Sequence, residues 1–283
     1  METLSFIGSG NVATHLALAF YAKGYTIAEI YSRTPSHAEC LALKVGAKSL
    51  TDIKDLEKAD IYIIAVEDKA IASIVEAMPP TTALVLHTAG SVDMNVLRKF
   101  ANHGVFYPLQ SLHRERYIDI SAVPFLIEAN TTANLTRIAG LAGNLSVPVR
   151  NVSSEQRRKL HLSAVFSCNF VNALLASARD IAGDDFSLLA PLVRNTIEKA
   201  FQAEHPKEVQ TGPALRGDLP TMNKHLNMLK DQPKLQEAYN LLSKIIMNNE
   251  YTSPQPPPKE GEYSLPFGRG GVNNNQQKND LQK

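Results

Sequence analysis

The sequence predicts an α/β protein, with an N-terminal doubly wound Rossmann sheet followed by an all-helical C-terminal domain. Three observations predict this arrangement. Apolar strand patterns alternate with helical patterns up to about residue 150, a glycine-rich turn joins the first strand to the first helix, and no convincing strand follows Val149. Alternating strands and helices build a parallel sheet, whereas the later helices form a layer or domain of their own.

The glycine-rich turn lies between an apolar strand pattern over residues 4–7 and a helical pattern that ends near Gly24. Its sequence is Gly8-Ser9-Gly10-Asn11-Val12-Ala13. Gly8 permits a tight turn, Gly10 leaves room for a pyrophosphate, and the small Ala13 lets the helix pack closely on the strand. The turn therefore predicts a dinucleotide site. Its expected contacts are Gly8, Gly10, Asn11 and Val12.

The end of the second strand indicates which dinucleotide binds. This strand is predicted over Thr26–Tyr31, and Ser32, Arg33 and Thr34 follow it. Domains that prefer NAD usually place an acidic residue here, on the ribose 2′-hydroxyl. A guanidinium with two hydroxyls instead suits a 2′-phosphate. The three residues favour NADP over NAD, and the alternative for Arg33 is a solvated surface arginine.

Two later strands predict the nicotinamide end of the site. Ile61–Val66 is a continuous apolar run, typical of a strand buried on both faces, and Ala83–His87 is the next strand. Ligands bind beyond the carboxyl ends of parallel strands. His87 either reaches the nicotinamide or only bonds a loop. The expected contacts here are Ala65, Val66, His87 and Thr88.

The other elements of the first domain complete a sheet of about eight strands, and the domain is expected to span residues 1–151. Helices are predicted over residues 36–44, 53–58, 70–78, 93–102 and 132–142. Short strands are predicted over residues 48–50, 104–107, 124–128 and 147–149.

The second domain is expected to be all-helical and to span residues 152–250. Ser153 and Gln156 form a capping-box pattern before a helical run that extends to about Ala182 and ends at Gly183. Further helices are predicted over residues 186–203, 218–230 and 234–248. Residues 251–283 are rich in proline, glycine, asparagine and glutamine, which predicts a disordered tail.

Polar residues on the first long helix of the second domain are the catalytic candidates. His161 is predicted to donate a proton and Asn169 to hold a carbonyl oxygen. At 100° per residue, Asn172 lies within about 20° of His161 and Asn169 lies about 80° away. The alternative is that these residues are satisfied in a domain or dimer interface.

Composition limits the class of protein. The 283 residues are 44% hydrophobic and 20% charged, with a net charge of +1, which is typical of a soluble protein and predicts no nucleic-acid partner. No run of apolar residues is expected to approach eighteen, so no membrane span is expected. The chain lacks a signal-peptide pattern and metal-ligand spacings, which favours a cytoplasmic protein without a metal.

Several motifs together carry a family resemblance over about residues 1–250. The chain resembles bacterial Rossmann-like proteins with a DUF2520 C-terminal domain, which are similar to coenzyme-F420-dependent NADP oxidoreductases. They are related to pyrroline-5-carboxylate reductase and to folds with a 6-phosphogluconate-dehydrogenase-like C-terminal domain. The motifs are Gly8–Ala13, Ser32–Thr34, His87–Ser91, Tyr107–Gln110, His161 with Asn169, and Thr211–Asp218.

The resemblance implies the fold and an NADP(H) cofactor. Together with the site residues above, it predicts an NADP(H)-dependent oxidoreductase that transfers a hydride between the nicotinamide and a small carbonyl or imine substrate. The long helix rich in small residues predicts a homodimer formed through the helical domain, as in the similar reductases. The related β-hydroxyacid dehydrogenases carry a catalytic Lys-x-x-x-Asn, but here Lys159 is followed by Ser163. This departure leaves open a non-catalytic NADP(H)-binding regulator. A further alternative is a deazaflavin (F420)-dependent NADP reductase, which needs a second flat cofactor pocket.

Overall fold

The computed structural model describes residues 2–57 and 59–248. They belong to two compact units, one ending at Asp184 and the other beginning at Asp185. The predicted division at residue 151 coincides with the change from strands to helices, since the last strand ends at Asn151 and the next helix begins at Ser154, and it stays a prediction as a domain boundary. The predicted disordered tail over residues 251–283 lies outside the described residues.

One eight-stranded sheet organises the first unit, as the strand patterns predict. Its strands are β1 (Thr3–Ile7), β2 (Thr26–Tyr31), β3 (Lys48–Leu50), β4 (Ile61–Ile64), β5 (Leu84–His87), β6 (His103–Pro108), β7 (Phe125–Ala129) and β8 (Val149–Asn151). They are ordered β3-β2-β1-β4-β5-β6-β7-β8, and all neighbours are parallel except β6 and β7. The chain reverses its direction of growth between β1 and β4, which is where such sheets bind ligands.

The helices of the first unit are α1 (Asn11–Ala22), α2 (Pro35–Val45), α3 (Asp68–Ala77), α4 (Thr132–Gly143), α5 (Ser154–Ala164) and α6 (Val171–Ala182). The helix predicted over residues 93–102 is wrong, because only a short 3₁₀ helix, Met94–Leu97, forms there. Asp93 caps this turn by accepting from Asn95 N–H at 3.0 Å. The chain then turns towards β6, with Phe100 N–H donating to Leu97 O.

The core lies on both faces of the sheet, which confirms the doubly wound fold. Ile61 and Ile63 of β4 belong to one buried cluster, together with apolar residues of α1, α2 and α4. Tyr62 and Ile64 belong to the other, together with residues of α3. Successive side chains of a strand point to opposite faces, so a strand covered by helices on both sides must be apolar throughout.

After the sheet, α5, a π-helical segment (Val165–Phe170) and α6 follow one another without a break. The predicted capping box is confirmed. Ser153 Oγ accepts from Gln156 N–H at 3.2 Å, and Gln156 Oε1 accepts from Ser153 N–H at 3.0 Å.

This helical run has an apolar, exposed surface. The helical stretch Ser154–Gln202 includes a segment that is long and apolar enough to cross a membrane, and none of that segment is buried. The expectation that no apolar run approaches eighteen residues is therefore wrong. Residues 160–178 carry no Asp, Glu, Lys or Arg, and their scattered Ser and Asn residues conceal the run from a search for consecutive apolar residues. Core helices of soluble proteins pass the same test.

The second unit is helical in its described part, with α7 (Ala190–Gln202), α8 (Leu219–Met228) and α9 (Pro233–Met247). Asp218 caps α8 as predicted, by accepting from Thr221 N–H at 3.1 Å. His225 Nδ1 and the Tyr239 hydroxyl lie 2.9 Å apart and join α8 to α9. Over residues 152–248 the structure contains no strand.

Gly104 in β6 gives a test of the sheet packing. A Cβ at this position would lie 2.4 Å from Glu128 O and 2.6 Å from Ile138 Cδ1. We expect Gly104→Ala to lower the free energy of unfolding by about 2 kcal/mol, because the carbonyl of the paired strand cannot move away. Urea unfolding measures the change.

The matched control is Gly140→Ala in α4, where an added Cβ meets nothing within 4 Å. This variant should keep the stability or raise it by up to about 1 kcal/mol. Equal unfolding midpoints for Gly104→Ala and the unsubstituted protein would contradict the packing described for β6 and β7.

Candidate cofactor and active site

The glycine turn is fixed by contacts between neighbouring strands. Gly8 N–H donates to Tyr31 O at 2.8 Å, at the end of β2. Gly8 has a φ of +118°, and a Cβ on it would lie 2.2 Å from Ala65 O, just beyond β4. Only glycine fits this position, because both the conformation and the close approach exclude a side chain.

Gly10, unlike Gly8, has open space where a side chain would lie. A Cβ on Gly10 would meet nothing within 4 Å. Gly10 is the N-cap of α1, and the first turn of α1 contains no acidic residue. The first-turn N–H groups at such a terminus attract an anion, and the empty space beside Gly10 fits a pyrophosphate. Asn11 and Val12 contribute to this first turn.

The three residues predicted for the 2′-phosphate lie at the same edge of the sheet. Ser32 N–H donates to Leu50 O at 3.0 Å, and Ser32 Oγ accepts from Thr34 N–H at 3.3 Å. Arg33 is exposed. The hydrogen bond from Lys69 is the main reason that the pKa of the Glu67 carboxyl is lowered, and the charge of Arg33 adds to it. Arg33 therefore lies near the loop that follows β4.

The residues predicted after β4 and β5 reach this edge too, and the side chain of His87 follows the second of its two predicted alternatives, a hydrogen bond to the loop. Ala65 N–H donates to Ile7 O at 2.8 Å, Val66 is half-buried, and Thr88 N–H donates to Ile64 O at 3.1 Å. The ring of His87 does not face a cleft. It is fully buried, and its Nδ1 accepts from Ala89 N–H at 3.2 Å. Burial, and then the nearby charge of Arg157, lower the pKa of His87 to about 3, so the ring is neutral.

His161 contacts a tyrosine from the sheet. The Tyr107 hydroxyl lies 3.0 Å from His161 Nδ1, and the two rings meet edge to face. Gly90, in the loop after β5, makes this contact possible. A Cβ on Gly90 would lie 2.6 Å from His161 Nδ1 and 2.8 Å from Tyr107 Cζ. We call Gly90, Tyr107 and His161 the Tyr–His cluster.

A carboxylate lies near the Tyr–His cluster. Burial raises the pKa of Tyr107, and the charge of Asp68 raises it further, while Arg157 opposes both. Asp68 begins α3 and accepts a hydrogen bond from the Ser91 hydroxyl, one residue after Gly90. Tyr107 is therefore a neutral phenol at physiological pH and keeps its O–H.

A buried ion pair fixes the start of α5. The Arg157 guanidinium is fully buried and pairs with Glu128 of β7. It also donates to Val92 O at 2.6 Å and to Ser154 Oγ at 3.0 Å. Glu128 in turn accepts from Ser154 N–H at 2.9 Å. His161 lies four residues after Arg157 and thus on the same side of α5, so the network holds His161 against the loop after β5.

The π-helical segment changes which asparagine shares the face of His161. Each residue of the wider π turn advances by roughly 80° rather than 100°. Asn169, inside the segment, is thereby brought within about 20° of His161, while Asn172 moves to about 100° away. Asn169 is exposed and lies about 12 Å further along the helix axis, so it would contact a different part of a bound molecule.

Sequence reasoning missed Asp68, Gly90 and Tyr107 as residues of the site. A signal was present, since each follows or ends one of three adjacent strands. Asp68 comes after β4, Gly90 comes after β5, and Tyr107 lies near the end of β6. Because β4, β5 and β6 are parallel neighbours, their carboxyl ends meet at one edge.

Two family models match this chain. The model described as NADP oxidoreductase coenzyme F420-dependent matches residues 3–89, and the one described as domain of unknown function (DUF2520) matches residues 123–246. A search of curated proteins returns no significant match. The first range includes the glycine turn, and the second includes α5 with His161.

Solved structures share the fold. The "putative NADP oxidoreductase" of Bacteroides fragilis is 40% identical, with 87% of this chain and 98% of that chain covered and a TM-score of 0.79. An imine reductase of Myxococcus stipitatus in complex with NADP⁺ is 16% identical, with coverage of 86% and 92% and a TM-score of 0.63. A reductive aminase of Aspergillus terreus in complex with NADPH and ethyl levulinate is 16% identical, with coverage of 87% and 92% and a TM-score of 0.64. The last two show the fold alone.

The identity to the Bacteroides protein extends over nearly its whole length, and both family models match in the expected order. The glycine turn and the charge pattern after β2 agree with this relationship. The chain therefore belongs to the NADP oxidoreductases that join a coenzyme-F420-dependent type of Rossmann domain to a DUF2520 domain, and it is an NAD(P)-dependent oxidoreductase.

Proposed function

We propose that this protein uses NADPH to reduce the C=O or C=N bond of a small organic molecule, with His161 as the proton donor. The observation that carries the proposal is the hydrogen bond between Tyr107 and His161 beside Gly90. This contact places an acid–base side chain at the carboxyl edge of the sheet, two strands from β4 and three from β1. The imidazole is the side chain that enzymes use most often for proton transfer.

The cofactor site has three parts. The pyrophosphate would bind at the first turn of α1, where Gly10 leaves open space. Ser32, Arg33 and Thr34 would hold the 2′-phosphate, and the backbone beyond β4 and β5 would hold the nicotinamide end. When bound, NADPH supplies the hydride. The residues for these last two parts are Ser32, Arg33, Thr34, Ala65, Val66 and Thr88.

The proton that completes the reduction would come from the protein, whereas NADPH supplies the hydride. In its protonated form His161 donates Nδ1–H to the Tyr107 oxygen, which leaves Nε2–H to be delivered to the oxygen or nitrogen of the substrate. The raised pKa of Tyr107 keeps its hydroxyl protonated, so Tyr107 orients the ring and does not remove its proton. Asn169, on the same helix face, would bind a more distant polar group of the substrate.

The comparisons support a reduction of this kind. The imine reductase and the reductive aminase are named for reactions at C=N bonds, and both share the order of a Rossmann domain followed by helices. The small-molecule substrate remains a proposal for this chain.

We also propose that a second copy of this chain covers the apolar surface of the α5–α6 helical run. Leu162, Phe166 and Phe170 are 58%, 62% and 47% exposed. The rings of Phe166 and Phe170 pack edge to face, with centroids 5.0 Å apart. A continuous exposed apolar surface of this kind marks an interface. The similar proteins are described as an NADP oxidoreductase and an imine reductase, which favours a homodimer over a membrane span. A cytoplasmic location stays a prediction.

Gly10→Leu tests the pyrophosphate site. The substituted side chain would fill the space beside the first turn of α1, so we expect NADPH affinity to fall at least about a hundredfold. The Cβ itself would meet nothing within 4 Å, and thermal unfolding by circular dichroism checks that the variant folds. Nicotinamide fluorescence gives the affinity, and Gly140→Leu, at an exposed position of α4, is the control. Wild-type affinity in Gly10→Leu would exclude this binding site.

His161→Gln tests the proton donor. We expect kcat to fall about a hundredfold or more with NADPH affinity kept within about twofold, because the amide cannot donate a proton. Tyr107→Phe should lower kcat by about tenfold, since the ring loses its orienting partner. NADPH oxidation is measured with a panel of small aldehydes, ketones and imines.

The control for these variants is His205→Gln, at an exposed histidine outside the Tyr–His cluster. Unchanged turnover in His161→Gln would remove His161 from the mechanism. Tight NADPH binding without oxidation by any substrate of the panel would instead support the regulator.

Phe166→Asp tests the homodimer. A charge at this position should convert a dimer into a monomer, because burial of an unpaired carboxylate is costly. Leu43→Asp is the matched control, since Leu43 is 85% exposed on α2 and lies outside the proposed interface. Light scattering coupled to gel filtration gives the mass. A monomeric wild-type protein, or a dimeric Phe166→Asp variant, would disprove the interface.

A further inference from the structure

We infer that residues 110–119, which follow β6, form a strap beside the glycine turn, and that Arg114 and Arg116 of this strap bind the diphosphate of the nucleotide. The inference rests on the proposed function, because it requires a nucleotide at the first turn of α1. It adds two cationic residues that the glycine motif does not predict.

Two hydrogen bonds hold the strap against α1. Arg114 N–H donates to Asn11 Oδ1 at 3.2 Å, and His15 Nε2 donates to His113 O at 3.0 Å. Asn11 is the first residue of α1, and His15 lies one turn further on the same side. Leu112 is buried and anchors the segment that leads to these contacts. The backbone of Arg114 thus lies next to the turn that receives the diphosphate.

The tip of the strap is a tight turn with two free cations. Arg116 N–H donates to His113 O at 2.9 Å and closes the turn. Arg114 and Arg116 are both exposed, and neither forms an ion pair with any residue of the described chain. An arginine side chain is long enough to reach the first turn of α1 from this position, because its backbone already contacts the side chain of Asn11.

The glycine turn needs these charges. Residues 1–22, which include β1, the turn and α1, contain no lysine and no arginine. The helix terminus contributes only about half a positive charge, whereas a diphosphate carries about two negative charges. Arginine suits this role because its planar guanidinium binds phosphate oxygens in pairs. Arg33 lies after β2, where it would meet the 2′-phosphate instead.

Glu115 lies between the two arginines in the sequence and carries the opposite charge, so its substitution tests whether nucleotide affinity depends on the sign of the charge. Its carboxylate repels a diphosphate, so removal of the charge should not weaken nucleotide binding. Loss of either arginine should weaken it.

The experiment compares the affinities for NADPH and for NADH, measured by nicotinamide fluorescence. Both nucleotides carry the diphosphate, but only NADPH carries the 2′-phosphate. We expect Arg114→Ala and Arg116→Ala each to weaken both nucleotides about tenfold, and the double variant to weaken both about a hundredfold. Arg33→Ala should weaken NADPH alone, and Glu115→Gln should bind both at least as tightly as the wild type. Thermal unfolding by circular dichroism checks that each variant folds.

Two results would overturn the inference while leaving the proposed function intact. In one, the double variant binds both nucleotides as the wild type does. In the other, the loss is confined to NADPH, which would assign the arginines to the 2′-phosphate. If the wild-type protein binds neither nucleotide, the proposed function fails first, and the strap fails with it.

Discussion

The buried ion pair between Glu128 and Arg157 is the interaction on which the candidate active site depends. Its guanidinium is inaccessible to water and bonds β7, the first turn of α5 and the carbonyl of Val92. Removal of one partner of such a pair leaves an uncompensated buried charge, at a cost of about 3–5 kcal/mol. The geometry of α5 relative to the sheet is therefore strongly determined, and with it the position of His161.

The two ends of the candidate site depend on different parts of the chain, mainly backbone at one end and side chains at the other. The proposed diphosphate end begins from backbone geometry, with Gly8 packed against Ala65 and Gly10 left open, and the arginines of the strap would add positive charge. The proposed reaction end would use side chains that come from three adjacent strand ends and from α5. Gly90 contributes to the reaction end through its backbone, because its lack of a side chain lets the Tyr107 hydroxyl and the His161 ring come within hydrogen-bond distance. Backbone amides suit an anion of fixed shape, whereas proton transfer needs a titratable group.

The sequence predicts the parts of this molecule that local patterns determine. The apolar run of β4, the glycine turn and the capping box at Ser153 each follow from residues close together in the chain, and the structure confirms them. The pattern after Asp93 predicts a regular helix where the structure has only a short 3₁₀ helix, because a single capped turn and a regular helix begin with the same residues.

The features that sequence patterns failed to predict depend on contacts between distant segments. The His87 ring is fully buried, and the charge that adds to the lowering of its pKa belongs to Arg157, seventy residues later in the chain. The partner of His161 is Tyr107, on another strand. A fixed angle of 100° per residue does not allow for a π-helical segment, so it predicts the wrong angle between His161 and Asn169.

The most direct measurement of the central claim is a crystal structure of the complex with NADP⁺. We expect the nicotinamide C4 to lie beside the Tyr–His cluster, with room for one small substrate between C4 and His161 Nε2. In that arrangement the substrate carbon comes within about 3.5 Å of C4, and the substrate oxygen or nitrogen comes within about 3.5 Å of Nε2. A nicotinamide bound at the opposite edge of the sheet, or one separated from His161 by about 10 Å or more, would contradict it.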